Sequence, residues 1–151
     1  MRRTEKEIKD RAEIDSIIRC SQVVRLGLSD DGQPYIVPLC FGYDGEALYI
    51  HCAKEGRKLD IIRKNNKVCF EFDIALGIIE AEQACGWGMK YQSGMGTGTA
   101  HILDDSESMR KALGLLMAQY SDREFTFPDE MLNRTAVIKI EIESITGKQA
   151  L

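Results

Sequence analysis

Two Asp-Gly turns between segments of alternating apolar and polar residues constrain the fold of this chain more than any other feature of its sequence. Asp31-Gly32 follows the predicted strand 23–28, and Asp44-Gly45 joins the predicted strands 35–43 and 47–52. Asp-Gly pairs tolerate the positive φ angles that tight hairpin turns require. Each turn therefore predicts a pair of antiparallel strands.

The remaining pattern adds three strands and three helices. Thr4 and Glu7 form a capping-box pattern before a one-sided apolar stripe, which predicts a helix over 5–19. Pro38 has no amide hydrogen, so its strand is expected to lie at an edge or to be bulged there. This order of elements predicts a mainly β fold of the α+β class, an antiparallel barrel with helices at its ends rather than a doubly wound parallel sheet. The other predicted elements are helices 56–65 and 106–120, strands 68–73, 87–103 and 135–145, an ambiguous segment 74–86 and a loop 121–133.

Length, charge and cysteine content narrow the class of protein. The 151 residues match one domain, expected to span 1–151. The N-terminus lacks the apolar core of a signal peptide and no apolar run could span a membrane, so the expected compartment is cytoplasmic. The net charge of −4 predicts no general attraction to nucleic acid or to a membrane. The five cysteines form no C-x-x-C pair, so neither a metal site nor a disulfide framework is expected, and Cys20 and Cys69 are expected to be small buried residues.

The segment Lys54-Glu55-Gly56-Arg57-Lys58, where a strand ends and a helix begins, is the best local candidate for a ligand site. Backbone amides at a helix start are unpaired and partly positive, so two cations in the first turn are unfavourable unless an anion joins them. Gly56 would let a ligand approach the backbone closely. A phosphate would satisfy all three features. A solvated charged turn, with Glu55 paired to Lys58, explains the same residues equally well.

Other patterns that could carry chemistry are weak. Gly94-x-Gly96 has Thr99 where a dinucleotide fingerprint needs its third glycine, so these glycines are expected to mark a bent strand. His51 and His101 lie on predicted strands, and His51 shortly precedes the basic turn. No metal-ligand cluster or Ser-His-Asp arrangement is evident, so an enzyme of this sequence would take its chemistry from a cofactor. An aromatic residue of this chain could either pack in the core or cover a flat ring. The core is expected for Tyr91, and both alternatives stay open for Trp87, Phe125 and Phe127.

Two blocks of sequence carry a family resemblance. Positions 34–44 are Pro-Tyr-Ile-Val-Pro-Leu-Cys-Phe-Gly-Tyr-Asp, and positions 48–58 are Leu-Tyr-Ile-His-Cys-Ala-Lys-Glu-Gly-Arg-Lys. With Tyr91-x-Ser93 further on, the chain resembles the 5-nitroimidazole resistance (Nim) proteins of the pyridoxamine-5′-phosphate-oxidase-like, FMN-binding split-barrel family. It departs from the family pattern at Asn65-Asn66, where Asn-Pro is usual, and at Gly94-Met95, where a more apolar pair is usual.

The resemblance implies a six-stranded antiparallel split β-barrel and a homodimer with one flavin in each of two clefts between the subunits. FMN is the implied cofactor, and FAD is possible. His51 is the implied active-site residue beside the flavin, and Arg57 and Lys58 are the implied phosphate ligands. The other implied contacts are Val37, Pro38, Leu39, Cys40, Cys52, Ala53, Ser93 and Met95, and Gly56 of the basic turn completes the expected cofactor site.

The resemblance leads to two functional hypotheses of different classes. The first is a flavin-dependent reductase of a nitro-aromatic, 5-nitroimidazole-like compound or another small electron acceptor, with His51 donating a proton or a hydrogen bond. The alternative is a flavin- or haem-binding sensor or carrier without turnover, and a ligand-free structural barrel is a third possibility. The chain lacks the tryptophan-containing C-terminal signature of the vitamin B6 oxidases, so that activity is not expected.

Overall fold

The structure, a computed structural model, describes residues 3–151, so Met1 and Arg2 of the predicted domain lie outside the described residues. Short 3₁₀ turns lie at Thr4–Lys6 and Ala84–Gly86. The strands are β1 (Glu7–Ile8), β2 (Val24–Asp30), β3 (Gln33–Leu39), β4 (Gly42–Tyr43), β5 (Ala47–Ala53), β6 (Lys67–Ile79), β7 (Gly88–Leu103) and β8 (Thr135–Ala150). The helices are α1 (Arg11–Cys20), α2 (Arg57–Lys64), α3 (Ser106–Ala118) and α4 (Asp129–Arg134).

The strands form one sheet in the order β3-β2-β6-β7-β8-β5-β4, with β1 paired to β8. Every pairing among the described residues is antiparallel. Six strands have seven residues or more, whereas β1 and β4 have two each. Five of the six predicted strands correspond to single long strands, whereas the predicted strand 35–43 is divided at Cys40 and Phe41 into β3 and β4. β4 lies at one end of the sheet order, and β1 pairs with the part of β8 that β5 does not reach.

Cys40 and Phe41 join the two ends of this sheet. β3 is the first and β4 the last strand in the order, yet only these two residues separate them in the chain. The buried ring of Phe41 packs on Phe72 of β6, with the ring centroids 4.9 Å apart. Because both ends of the sheet contribute to one apolar core, the sheet curls into a barrel.

The helices cover different faces of the barrel. α1 packs on the inner face, where Ile14 lies against Gly147 of β8. α3 and α4 lie on the outer face over β5 and β8, where they bury a second apolar cluster. The members of this second cluster are Ala47, Tyr49, Met109, Ala112, Leu113, Leu132 and Val137.

The residues after α3 connect α1 to the closure of the barrel. The Tyr120 hydroxyl accepts a hydrogen bond from the Phe41 amide at 3.0 Å and donates one to the Gln22 carbonyl at 2.8 Å. The Gln119 side-chain amide donates hydrogen bonds to carbonyl groups at the end of α1 and just beyond it. These acceptors lie 3.0–3.3 Å away, on Ile18, Arg19 and Ser21.

The first turn signal is confirmed, whereas the Asp44-Gly45 turn joins β5 only to the two-residue strand β4 and not to β3. Asp31 and Gly32 have φ angles of 51° and 87°, and Asp30 pairs with Gln33 across this two-residue turn. Pro38 lies on β3, an edge strand with a neighbouring strand on one side only. On its other side no strand is present to accept a hydrogen bond, so the missing amide hydrogen of Pro38 removes none there.

The predicted start of the first helix is wrong. α1 begins at Arg11, and the Asp10 carboxylate caps it by accepting a hydrogen bond from the Ala12 amide at 2.9 Å. Glu7 and Ile8 instead pair with β8. Ile8 is buried by this pairing, a tertiary contact that competes successfully with the local capping pattern.

Two segments and two cysteines also differ from expectation. β6 continues to Ile79 through the ambiguous segment, and the predicted loop 121–133 contains most of α4. Cys20 and Cys69 are exposed rather than buried. Cys20 is the last residue of α1, and Cys69 points outward because Val68 next to it occupies the inner face of β6.

The glycines of β7 mark close packing within a strand. Gly94, Gly96 and Gly98 are buried on the inner face, and a Cβ atom at Gly96 would collide with the Ser144 carbonyl oxygen and the Phe70 ring. This confirms the interpretation of the glycine cluster as strand rather than as a dinucleotide-binding loop.

We expect Gly96→Ala to lower the free energy of unfolding by about 2–3 kcal/mol, because extra atoms in a tightly packed interior cost roughly this much. Gly114→Ala is the matched control: it lies within α3, and no atom lies within 4 Å of its added Cβ. That variant should be more stable by about 0.5–1 kcal/mol through helix propensity. Urea unfolding measures both, and a neutral Gly96→Ala would contradict the packing described.

Candidate functional site

The last three residues of β5 are His51, Cys52 and Ala53, and they pair with the start of β8. Their side chains alternate between the two faces of the strand. Cys52 is half-buried against the main core, whereas His51 and Ala53 are exposed. His51 is therefore free to contact a ligand at this end of the barrel, while Cys52 lines the interior beneath it.

The thiol of Cys52 lies near the start of α2. Burial raises its pKa, and the positive charges of Lys58 and Arg63 partly oppose that shift. Both cations are thus within electrostatic reach of Cys52. This arrangement brings the basic turn beside the end of β5.

The start of α2 has the features expected of an anion site. Gly56 is the N-cap residue with a φ of 139°, a conformation that strains residues other than glycine, and no side chain caps this end of the helix. Segment 54–64 contains five basic and two acidic residues, although the whole chain has a net charge of −4. The alternative ion pair between Glu55 and Lys58 is not present among the described residues.

Arg57 contacts both β3 and the end of β2. Its guanidinium lies over the Tyr35 ring, 4.8 Å from the ring centroid. One of its nitrogens is 3.8 Å from Asp30, and the Lys64 ammonium is 3.6 Å from the other oxygen of the same carboxylate. The Arg57 side chain is 55% exposed, so these surface pairs contribute little stability. An anion bound at this turn would therefore compete with only one carboxylate, that of Asp30, for the positive charge of Arg57.

The four predicted contacts on β3 and its end are divided between two faces. Val37 and Leu39 are half-buried against the core, whereas Pro38 and Cys40 are exposed on the other side. Because strand side chains alternate, a single flat ligand can meet one of these pairs through side chains and the other only through backbone.

Cys40 and His51 come together at one end of the barrel. Gly42 of β4 pairs with Tyr49 of β5, and Cys40 and His51 each lie two residues beyond this pair in the same direction. The register thus places the ends of β3 and β5 toward the same end of the barrel, and the charge of Lys58 near Cys52 relates the end of β5 to the start of α2.

Ser93 and Met95 do not belong to that region within one chain. His51 is paired through Val137 to Leu103, at the far end of β7. Met95 is eight residues from Leu103 along the strand, a distance of roughly 27 Å at the usual rise per residue. The two predicted contacts on β7 therefore lie on a different part of the outer face from His51.

Sequence analysis missed Tyr35 and Asp30 as neighbours of the basic turn. Asp30 carries a turn signal only, and Tyr35 has an ordinary strand pattern. Their contacts with Arg57 cross from the β2–β3 hairpin to α2, so no local signal could have revealed them.

The aromatic candidates lie mostly at the surface. Trp87 and Phe125 are 52% and 39% exposed, whereas Tyr91 and Phe127 are half-buried. Trp87 donates an indole hydrogen bond to the Ala81 carbonyl at 2.7 Å.

Within residues 3–151, no group of three or more His, Cys, Asp and Glu side chains is arranged to hold a metal ion. The second histidine, His101, lies on the surface, with Nε2 3.5 Å from a Glu141 carboxylate oxygen. No helix in the described part of the chain is long and apolar enough to cross a membrane.

Comparison with known proteins gives a family match and close structural likenesses. The family model described as pyridoxamine 5′-phosphate oxidase matches residues 10–149. A candidate 5-nitroimidazole antibiotic resistance protein from Bacteroides thetaiotaomicron is 34% identical, with a TM-score of 0.84 over 94% of this chain and 85% of that one. A FAD and haem binding protein from Mycobacterium smegmatis has a TM-score of 0.88 over 96% of this chain and 73% of that one. At 19% identity, the second likeness shows the fold alone.

One curated relative matches over a shorter region. An uncharacterized protein of Rhizobium meliloti is 33% identical over 64 residues, which are 42% of this chain and 42% of that protein. The matched region thus spans less than half the length of the curated relative.

We expect Cys52 in the folded protein to react with iodoacetamide several-fold more slowly than Cys85 at pH 7.5. The thiolate is the reactive form, and burial raises the pKa of Cys52, which lowers its thiolate fraction at that pH. Cys85 is exposed and serves as the internal control. Peptide mass spectrometry gives both rates, which should converge in urea. Equal rates in the folded protein would mean that Lys58 and Arg63 outweigh burial.

Proposed function

The chain belongs to the pyridoxamine 5′-phosphate oxidase family, whose split-barrel fold it shares, and we propose that it is a flavin-dependent reductase of small electron acceptors such as nitro-aromatic compounds. The family match and the 34% identity to a candidate 5-nitroimidazole resistance protein support this proposal. The fold alone would not support it, since one fold hosts many functions.

The start of α2 is the observation that carries the proposal. It combines an uncapped helix N-terminus, a glycine at positive φ and two cations within one turn. Backbone amides and a helix dipole favour an anion there, and Arg57 and Lys58 can add charge-assisted hydrogen bonds. The proposed occupant is the phosphate of FMN. An FAD would use the same turn for its first phosphate.

The flavin ring is proposed to lie between the end of β3 and the end of β5. Val37, Pro38, Leu39 and Cys40 would border it on one side, largely through backbone groups, because their side chains alternate between two faces. The segment 51–53 would border it on the other. Both segments lie in the same region as the basic turn, so one ligand can reach all three.

His51 is the proposed catalytic residue. Its side chain is exposed at the end of β5, whereas Cys52 next to it packs against the core. A bound flavin supplies electrons in this chemistry. An imidazole N–H at the edge of the site can donate a proton or a hydrogen bond to the reduced acceptor.

A second copy of the chain is proposed to complete the site. Met95 and Ser93 lie roughly 27 and 34 Å along β7 from the level of His51, which is too far for them to touch the same ring as His51 within a single chain. In a homodimer with the flavin between subunits, these two residues would approach the flavin that the other copy holds.

Spectroscopy and turnover distinguish the proposal from its rivals. The purified protein should show a flavin absorbance, and mass spectrometry of the released ligand should separate FMN from FAD. With oxygen excluded and a chemical reductant in excess, a 5-nitroimidazole should be converted to many equivalents of reduced product per flavin, because the reductant returns electrons to the flavin after each cycle. A carrier would form one equivalent of product at most. A protein that neither contains nor takes up flavin would overturn the proposal.

We expect Arg57→Ala with Lys58→Ala to weaken FMN binding by about 2 kcal/mol or more, roughly thirtyfold, because each charge-assisted hydrogen bond contributes about 1.5–3 kcal/mol. Arg63→Ala with Lys64→Ala is the matched control, since it removes the same charge from the other end of the same helix. The control should bind within about threefold of the wild type in a flavin fluorescence titration. Equal weakening by both double variants would mean that FMN affinity depends on the net charge of α2 and not on a phosphate site at its start.

We expect His51→Gln to retain flavin while lowering nitroimidazole turnover by about a hundredfold, the low end of what a positioned proton donor contributes. His101→Gln is the control, because His101 is the other histidine of the chain, is exposed, and is not among the proposed flavin contacts. Flavin content is measured from absorbance and turnover from product formation. Full turnover in His51→Gln at normal flavin content would remove the catalytic role.

A further inference from the structure

The guanidinium of Arg57 rests on an aromatic ring at the start of α2. It lies over Tyr35, 4.8 Å from the ring centroid, and one of its nitrogens is 3.8 Å from the Asp30 carboxylate. That separation is longer than a hydrogen bond. Because the ring contacts one face of the planar group, the N–H donors along its edge stay available to a ligand.

Tyr35 is a rigid support for this cation. It lies on β3, paired with Leu28 of β2, and its side chain is half-buried against the main core. A free arginine side chain loses considerable rotamer entropy when a ligand fixes it. A guanidinium that already rests on a fixed ring has lost part of that entropy beforehand, so Tyr35 preorganises Arg57 for binding.

Asp30 supplies an anion at the same place. Its two carboxylate oxygens approach two cations of α2, Arg57 at 3.8 Å and Lys64 at 3.6 Å. These cations are seven residues apart, which puts them on one face of the helix. The Asp30 side chain is 26% exposed, against 55% and 63% for the two cations, so the carboxylate is the most enclosed member of the group.

The backbone keeps this carboxylate beside α2. Asp30 pairs with Gln33 across the first turn, so the β2–β3 ladder fixes its position. The end of α2 is tied to the same strand, because the Asn65 side-chain amide donates a hydrogen bond to the Ser29 carbonyl at 3.3 Å. Asp30 is therefore held near Arg57 whether or not a ligand is bound.

We propose that Asp30 is a built-in counter-ion that a ligand phosphate must displace from Arg57, and that Tyr35 is a positioning residue that holds Arg57 ready for this exchange. The inference rests on the proposed function, since it takes the flavin phosphate as the displacing anion. The two residues contact the same guanidinium and act in opposite directions. Asp30 opposes the binding of the phosphate, and Tyr35 favours it.

The exchange selects ligands by charge. The Asp30 carboxylate carries a single negative charge, whereas a phosphate monoester carries about 1.5 to 2 negative charges at pH 7 and offers three acceptor oxygens. FMN therefore gives Arg57 a stronger partner than Asp30 does. Riboflavin has the same ring system without the phosphate, so it leaves the pair between Asp30 and Arg57 in place.

Fluorescence titrations with FMN and riboflavin test both roles through the ratio of the two dissociation constants. Asp30→Asn should tighten FMN binding about threefold, the effect of a weak exposed ion pair, and leave riboflavin binding unchanged. Tyr35→Leu should weaken FMN binding about threefold, the effect of an exposed cation–π contact, again without a change for riboflavin. Tyr35→Phe keeps the ring and should match the wild type.

Asp31→Asn and Phe125→Leu are the matched controls. Asp31 is the next residue, is exposed, and has a φ of 51° that asparagine also tolerates, so the same charge is lost beside the site without loss of the pair with Arg57. Phe125 lies under the Arg123 guanidinium at 5.6 Å, so its replacement removes a ring beneath an arginine elsewhere. Both controls should bind the two flavins as the wild type does.

The route through Arg57 is tested in an Arg57→Ala background. There, neither Asp30→Asn nor Tyr35→Leu should change FMN affinity further, because both act on the side chain that is missing. Effects of the same size in that background would overturn the inference. So would equal changes for FMN and riboflavin, since a loss of packing moves both flavins together.

Inorganic phosphate separates this inference from the proposed function, because it presents the charge without the ring. In amide NMR spectra, phosphate should shift the signals of residues 56–58, and Asp30→Asn should need about threefold less phosphate for the same shift. That result without uptake of either flavin would remove the reductase proposal and keep the exchange at Arg57. FMN binding that depends on Arg57 and Lys58 but on neither Asp30 nor Tyr35 would keep the flavin site and remove this inference.

Discussion

The packing of Phe41 on Phe72 is the contact on which the rest of the structure depends. It holds the two ends of the sheet over one core, although only two residues connect β3 to β4. Tyr120 fixes the same point by hydrogen bonds to Phe41 and to Gln22, the second residue after α1. Without this closure, the end of β3 would not lie beside the end of β5, and the proposed ring site would have one wall only.

Strand alternation then determines which residues can share a ligand. The predicted contacts were taken from contiguous stretches, yet consecutive residues of a strand point to opposite faces. Val37 and Leu39 therefore pack inward while Pro38 and Cys40 stay exposed, and Cys52 lies beneath His51 rather than beside it. The sheet register adds a second division, because β7 carries Met95 far from the level of His51. The second division is the reason for the proposal that two copies of the chain share the site.

The electrostatics of the site are local and weakly compensated. α2 begins with cations at the end of the helix that repels them, and Asp30 is the carboxylate that approaches Arg57 and Lys64. The distances of 3.6–3.8 Å and the exposure of these side chains leave the pairs weak. The phosphate that is proposed to bind at this turn would therefore displace them at little cost.

The sequence by itself determined the elements whose causes are local. The Asp31-Gly32 turn, the edge position of Pro38 and the strands around them follow from residue conformations that neighbours cannot override. The basic helix start at Gly56 was visible for the same reason, and the two blocks at 34–44 and 48–58 were enough to indicate the family.

Tertiary structure alone decided what depends on long-range pairing. Ile8 joined β8 instead of a helix, and Cys69 turned outward because Val68 faces the core. The contacts of Arg57 with Tyr35 and Asp30, and the separation of Met95 from His51, follow from sheet order and register. Register is set by which faces become buried when all strands pack at once, and no short stretch of sequence carries that information.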